Sequence, residues 1–298
     1  MLDAICWPQT DDAQRLFHGR GHAYPGYEHV NIDWYQPLVL ITLYREVDEE
    51  WLQQLVDEIS TQMPQAQHIV AQQRYLRDGP FVWLKGEPVE KLVLSEQGQK
   101  YWLTLGKQQN TGIFLDIANG RQWLQQTSQD KSVLNLFAYT CAFSVAAHAG
   151  GAKKIVNVDM SRASLSQGRE NHRLNGQDLD RVIFEGVDIF KSFGRLKKHG
   201  PYDVIVCDPP TFQKGSVNIE RDYQKIIRRI PQLANPGAEL LMCLNAPDLD
   251  DEFLKIQMAE HCPDCEFIRR IDNPAVFVEA QQGKGLKALL YRFNPNQS

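Results

Sequence analysis

Apolar and polar residues alternate differently in the two parts of this chain. Up to about Asn110 the apolar residues come in short runs broken by glycines and charged turns. Leu38-Val39-Leu40-Ile41-Thr42-Leu43 reads as a strand, and Asp48 then caps a helix whose acidic first turn suits the helix dipole. Trp51, Leu52, Leu55, Val56 and Ile59 give that helix one apolar face. Residues 69–75, 81–84, 92–94 and 101–105 are further short strands, consistent with an antiparallel sheet. The mixture of glycine, cation and imidazole in Leu16-Phe17-His18-Gly19-Arg20-Gly21-His22 fits a turn better than a phosphate contact. A small α+β domain over residues 1–110 is expected.

From Thr111 strand and helix patterns alternate, the mark of a doubly wound parallel sheet. Strands are expected at 133–137, 154–159, 182–185, 202–207 and 239–244, and helices at 143–149, 161–174 and 220–230. The end breaks this rhythm. Strands at 266–271 and 286–293 are joined without an obvious helix, through a turn at Gln281-Gln282-Gly283-Lys284-Gly285, so the last strand should run antiparallel to its neighbours. The fold predicted for residues 111–298 is α/β: a doubly wound, Rossmann-like, seven-stranded sheet with an antiparallel last strand, preceded by the smaller α+β domain.

Composition narrows the class. Hydrophobic residues at 43% and charged residues at 23% fit an ordinary globular protein, and no apolar run is long enough to span a bilayer. Met1-Leu2-Asp3-Ala4 lacks the basic start and apolar core of a signal peptide, so a cytoplasmic protein with no membrane partner is expected. Six scattered cysteines suit reduced thiols, and the single Cys262-Pro263-Asp264-Cys265 lacks the second pair that a zinc site needs; no metal is expected. The net charge of −5 is uneven: residues 1–110 hold 9 Lys+Arg against 15 Asp+Glu, residues 111–298 hold 23 against 22. Any surface for nucleic acid must therefore be local.

The chemistry gathers at strand ends. Asp208-Pro209-Pro210-Thr211-Phe212 follows the apolar run 202–207; two prolines stiffen the backbone, so an acid, fixed carbonyls and an aromatic ring can clamp a planar heterocycle. A strand-ending turn with Asp208 as cap is the competing reading. In a doubly wound fold the other carboxyl ends face the same ligand space. Asn135-Leu136-Phe137-Ala138-Tyr139-Thr140 offers small residues and approachable backbone, Asp159-Met160 an acceptor for ribose hydroxyls, and Asp188-Ile189 an acceptor for an adenine amino group beside an apolar neighbour. The first loop has no G-x-G-x-x-G, so a nucleoside without phosphates fits better than a dinucleotide. S-adenosylmethionine is such a ligand, and a clamp opposite it reads as methyl transfer.

Those motifs, with Val158-Asp159-Met160-Ser161 and Asn171-His172-Arg173-Leu174-Asn175-Gly176, resemble the class I S-adenosylmethionine-dependent methyltransferases of large-subunit ribosomal RNA. The guanine-N7 branch is the most similar, and the cytosine-C5 enzymes are related. The resemblance covers about residues 70–298. It implies an enzyme of rRNA processing that binds RNA, with Asn135 and Phe137 at the methionine and adenosine parts of the cofactor, Asp159 on the ribose and Asp188 at the adenine. It further places Asp116, in Thr111-Gly112-Ile113-Phe114-Leu115-Asp116, at the pocket's edge, and Asp208, Pro209, Pro210 and Phe212 at the target base, with Asp208 also bordering the cofactor. The family usually has Thr-Gly where this chain has Thr140-Cys141, and a Cβ there should narrow the cofactor approach or disfavour the backbone. The nucleophilic cysteine of the cytosine-C5 relatives lies between serines; Cys243 lies between apolar residues and reads as buried and inert, while Asn245 matches an asparagine of the guanine-N7 branch.

Arg221, Lys225 and Arg228 recur at helical spacing, with Lys214 nearby, and form a candidate RNA-binding strip; a solvated helix face is the competing reading. The favoured function is methyl transfer to a guanine-like base nitrogen of ribosomal RNA by in-line displacement. Alternatives are cytosine C5, a small molecule or a protein as acceptor, or a catalytically weak RNA-binding assembly factor.

Overall fold

The structure, a computed structural model, describes residues 1–106, 110–210, 212, 213, 217–281 and 283–295, with only the backbone of 212, 213 and 217. Thr211 and Lys214 of the predicted clamp and strip lie outside the described residues. Two compact units result: Met1–Asp116 with Pro274–Gln282, and Ile117–Asn273 with Gly283–Ser298.

In the first unit, β1 (Gln14–His18), β2 (Val30–Tyr35) and β3 (Leu38–Leu43) precede α1 (Glu49–Gln62), and β4 (His68–Gln73) and β5 (Phe81–Lys85) follow. They form one sheet in chain order. Asp48 caps α1 as predicted, its side chain accepting from the Trp51 N–H. Because α1 crosses over, β3 and β4 pair parallel, whereas the pattern suggested an antiparallel sheet; the other pairs are antiparallel. A hairpin of β6 (Lys91–Glu96) and β7 (Gln99–Thr104) stands apart from that sheet. The core is Trp34, Ile41, Leu55, Ile59 and Ile69, so the apolar stripe read on α1 meets the sheet.

The first unit extends past the expected boundary at residue 110 and takes in 274–282, part of the long connection before the last strand. Hydrogen bonding explains this. Ala280 donates its N–H to the Gly21 carbonyl at 2.7 Å, Glu279 meets His18 Nε2 at 3.3 Å, and the Arg15 guanidinium lies 4.9 Å from the Phe277 ring centre. The glycine-rich stretch after β1 is a 3-10 turn, Gly19–Gly21, as its composition suggested.

The second unit opens with α2 (Ala118–Thr127), β8 (Ser132–Leu136), α3 (Ala142–Ala149), β9 (Lys154–Val158) and α4 (Arg162–Leu174). It continues through β10 (Val182–Glu185), α5 (Ile189–His199), β11 (Tyr202–Cys207) and a two-strand hairpin, β12 (Phe212–Gln213) with β13 (Val217–Asn218). α6 (Ile219–Ile227), α7 (Ile230–Leu233), β14 (Ala234–Leu244), α8 (Asp251–His261), β15 (Cys265–Ile271) and β16 (Lys287–Phe293) complete it.

The seven-stranded sheet has the order β10-β9-β8-β11-β14-β16-β15, with β16 antiparallel to both its neighbours. This is the predicted doubly wound sheet with an antiparallel last strand. Trp123, Leu124, Phe143 and Ala147 cover one face; Leu196, Tyr223, Ile226, Leu254 and Met258 cover the other. Helices α2, α5 and α8 were not legible as elements, although Ile189, Phe190, Phe193 and Leu196 have helical spacing. Among the described residues no helix is long and apolar enough to cross a membrane.

Arg15 and Asp33 form an ion pair within the first unit's sheet, both side chains largely buried. Removing one partner of such a pair strands the other's charge, at about 3–5 kcal/mol. Arg15→Met should therefore lower the stability of the first unit by that amount in urea unfolding, and adding Asp33→Asn should restore part of it.

Candidate active site

Winding of the second unit reverses between β8 and β11, and at such a switch point the loops part to leave a crevice. Leu136 and Cys207 are register partners there, and Cys207 also pairs with Met242 of β14. The loop after β8, the Asp208-Pro209-Pro210 segment and Asn245 thus leave three neighbouring strands at one end.

The loop after β8 is the most constrained piece of backbone in the unit. Phe137, Tyr139 and Cys141 all have positive φ, at 58°, 46° and 63°. Non-glycine residues resist this region by about 1–2 kcal/mol each, so the surroundings must hold them. Ala138 donates its N–H to the Val158 carbonyl at 3.0 Å, and Tyr139 donates its N–H to Asp159 Oδ2 at 2.9 Å. The Asn171 amide donates to the Thr140 carbonyl at 2.9 Å, and the Cys141 N–H reaches the Ala138 carbonyl at 2.7 Å.

Cys141 takes up the left-handed conformation that glycine would favour, so the expected departure is real in the backbone. Its side chain is fully buried and packs with Leu165 against α4, at the surface of Gly168. A Cβ on Gly168 would lie 2.9 Å from the Cys141 Cβ, so the cysteine fits because α4 has a glycine opposite it. Burial pushes the thiol pKa well up, which makes Cys141 an inert packing group.

Behind the loop a chain of buried polar side chains runs across two strands and two helices. The Asn135 amide donates to Asn157 Oδ1 at 2.9 Å, Asn157 donates to Ser144 Oγ at 2.8 Å, and Ser144 Oγ lies 2.8 Å from His172 Nε2. His172 Nδ1 lies 2.6 Å from Gln177 Oε1, and the Gln177 amide donates to the Val145 carbonyl at 3.0 Å. One assignment satisfies every partner: Ser144 donates to an unprotonated Nε2, and Nδ1–H donates to Gln177. Burial holds the His172 pKa down at about 4, which agrees with a neutral ring. Asn171 and His172 belong to a motif that carries the family resemblance, and the sequence signal of Ser144 and Asn157 is a polar residue at a position the pattern makes core.

The predicted cofactor residues divide accordingly. Asp159 has the suitable donor set: its oxygens accept from Tyr139 N–H and Ser161 N–H, and a carboxylate's remaining lone pairs suit the two hydroxyls of a ribose. Phe137 packs toward Phe190, ring centres 6.5 Å apart, and Met160 is exposed beside Asp159. Asn135 is buried and its side-chain amide donates to Asn157, because β8 and β9 pair these two residues directly. Asp188 caps α5, accepting from the Phe190 N–H at 2.9 Å, and remains at the carboxyl end of β10. Ile189, expected beside the adenine, is buried in the core, on the first turn of α5. Asp116 sits half-buried in a 3-10 turn, Leu115–Ile117, at the end of the first unit's main segment.

Asp208 is half-buried, Pro209 buried and Pro210 exposed. Beneath them Tyr223 donates its hydroxyl to the Cys243 carbonyl at 2.8 Å, and burial, with the neighbouring Cys207, Cys243 and Asp208, raises its pKa far above the usual phenol value. The expected inertness of Cys243 agrees with its complete burial; Cys207 is equally buried. Lys287, another group not picked out from sequence, is fully buried and donates to the Ala246 carbonyl at 2.6 Å, pinning the loop that carries Asn245.

The cationic strip on α6 is modified by one acid. Asp222, 2% exposed, accepts from Arg221 at 2.8 Å and from Lys225 at 2.8 Å, and these partners hold its carboxyl far below the usual range. Two of the predicted cations are therefore partly neutralised, whereas Arg228 is exposed, and its guanidinium lies 3.4 Å from His261 Nδ1.

A match to the model of an S-adenosylmethionine-dependent methyltransferase family extends over residues 14–292. The chain belongs to this family. Similar proteins include a ribosomal RNA large subunit methyltransferase I of Shewanella amazonensis, 31% identical over 93% of this chain and 74% of the relative. A ribosomal RNA large subunit methyltransferase K/L of Shewanella sediminis is 32% identical over 74% of the chain and only 33% of that longer relative. Among solved structures, SMU.776, designated a methyltransferase and complexed with SAH, superposes with a TM-score of 0.86 at 26% identity, covering 98% of this chain and 80% of that one. The methyltransferase thus uses S-adenosylmethionine, and the donor set around Asp159 fits it.

Gly168→Ala should destabilise the methyltransferase by about 1–3 kcal/mol, the usual cost of overpacking. Cys141→Gly combined with it should recover most of that loss in thermal unfolding, because the smaller loop residue makes room. His172 gives a pH dependence. A folded pKa of about 4 against 6.5 means the unfolded chain binds the proton more readily. The His172 contribution is therefore complete above pH 6.5 and is lost as pH falls toward 4, on the order of 3 kcal/mol. Urea midpoints measured between those limits should fall less steeply in His172→Gln than in the wild type.

Proposed function

We propose that this methyltransferase modifies a guanine-like base nitrogen of large-subunit ribosomal RNA by direct in-line displacement. The carrying observation is the Asp208-Pro209-Pro210 segment at the switch point, on the strand next to the loop that Asp159 braces. The names of the similar rRNA methyltransferases support the substrate class. Nitrogen rather than cytosine C5 is favoured because the cysteines nearest this segment, Cys207 and Cys243, are fully buried, and a covalent intermediate needs an accessible thiolate.

S-adenosylmethionine, when bound, supplies a sulfonium methyl for the base nitrogen to displace. Asp159 would hold the ribose hydroxyls, and Phe137 with Met160 the apolar part of the nucleoside. Asp208 and the carbonyls of the two prolines orient the base edge, and the stiff backbone keeps that array aligned without reorganisation; the Phe212 side chain expected to stack on the base lies outside the described residues. A ring nitrogen such as N7 carries no proton, so no general base is required. A base within a duplex has to leave its stack to reach the segment. The first unit is assigned to RNA recognition; the Arg20 and Arg74 guanidiniums, 4.5 and 5.7 Å from the Tyr44 ring centre, give it a cationic and aromatic group. The reading as a catalytically weak assembly factor loses its motive, because the Cys141 side chain packs against α4.

Asp208→Ala should abolish methylation of RNA from a deletion strain while S-adenosylmethionine affinity, measured by calorimetry, stays within a few-fold. Asp159→Ala should weaken that affinity by about tenfold to a hundredfold, as loss of charge-assisted hydrogen bonds predicts. Equal loss of cofactor affinity in both variants would move Asp208 into the cofactor site.

A further inference from the structure

Beyond the cofactor residues, at the outer edge of the sheet, a cavity of about 290 Å³ opens between α4, the end of β10 and α5. Arg162, Arg169 and Arg195 line it around Phe184, with Glu185 and Gly186 in its wall. The arginines are placed by specific contacts. Arg169 lies over the Phe184 ring, its guanidinium carbon 4.3 Å from the ring centre, and Arg195 is held at 3.3 Å by Glu185, which also meets His199 at 2.8 Å. Arg162 lies along Gly186, where a Cβ would come within 2.9 Å of its Cγ. Among the described residues neither Arg162 nor Arg169 has a carboxylate partner, so three cations face one acid.

This charge is local and runs against the whole chain: residues 161–200 hold 8 Lys+Arg and 5 Asp+Glu, a balance of +3, in a protein of net charge −5. The cavity lies at the small end of ligand sites, roughly 300 Å³, which suits one small anionic group. Guanidinium forks match the paired oxygens of a phosphate, and Phe184 already has a ring face covered by Arg169, so the cavity recognises an anion and does not offer that face to a base. Its position completes the argument. Arg162 follows Asp159 by three residues, and Gly186 precedes Asp188 by two, so the lining of the cavity adjoins the candidate cofactor residues in the chain.

We infer that this cavity is a phosphate-binding subsite that holds one phosphodiester of the RNA beside the cofactor's adenosine end. The assignment rests on the RNA reading of the chain given above. It makes Arg162 and Arg169 determinants of RNA affinity and of its salt dependence, separate from the Asp208 segment that receives the base.

The test compares wild type, Arg162→Glu, Arg162→Lys and the double variant Arg162→Gln/Arg169→Gln. Binding of protein-free large-subunit RNA is followed by anisotropy at several salt concentrations, with S-adenosylmethionine calorimetry on the same samples. Arg162→Glu and the double variant should lose about tenfold in RNA affinity, with cofactor affinity within twofold and Arg162→Lys close to wild type. The salt slope should drop by about 0.7 for a lost contact to single-stranded phosphate, a change that a merely structural role would not give. RNA affinity and slope unchanged in both variants would overturn the subsite while leaving the RNA reading standing. Loss of cofactor affinity in parallel with RNA affinity would return the cavity to the cofactor site. Tight binding of ADP that Arg162→Glu removes, with RNA affinity untouched, would assign the cavity to a free nucleotide. A wild type that binds S-adenosylmethionine but no RNA would overturn the RNA reading and this subsite together.

Discussion

A backbone held in left-handed conformations at three positions out of five is the constraint on which the site depends. Phe137, Tyr139 and Cys141 take it up between the first strand of the second unit and the helix after it. No single bond offsets that strain. Asp159 draws in the Tyr139 N–H, Asn171 holds the Thr140 carbonyl, and Gly168 leaves room for the Cys141 side chain. The same carboxylate that braces the loop accepts from the Ser161 N–H as well, so one residue joins the loop after β8 to the start of α4.

The polar chain from Asn135 to Gln177 extends this bracing into the core. Its donors all point one way, which fixes a neutral His172 and ties β8, β9, α3 and α4 together at their centre. Buried hydrogen bonds of this kind contribute modestly when made and are costly when broken, so the chain specifies one arrangement more than it adds stability. Here that arrangement is the spacing between the strand end and the helix over which the loop must arch.

Electrostatics is managed residue by residue in a protein of net negative charge. Asp222 absorbs much of the charge of Arg221 and Lys225, while Glu185 positions Arg195 and leaves Arg162 and Arg169 facing a concavity. A helical row of cations is therefore a poorer guide to an anion site than arginines that converge from separate elements. Convergence is a tertiary property.

The sequence by itself determined the alternating strand and helix order, the antiparallel last strand and the acids that follow the strand ends. Each follows from local rules: apolar runs of strand length, a turn in place of a crossover helix, and an acid after an apolar strand. Even the inertness of Cys243 was legible, because its neighbours were apolar. Tertiary structure alone decided what lies across space. Gly168 and Cys141 are 27 positions apart, so their fit could not be seen in either segment. Parallel pairing sets Asn157 beside Asn135, and the helix that Asp188 caps turns Ile189 into the core. The connection at 274–282 joined the first unit because its hydrogen-bonding partners are there, far away in the chain. Local pattern fixes which face of an element is apolar, and only packing fixes what that face, or the polar residue within it, will meet.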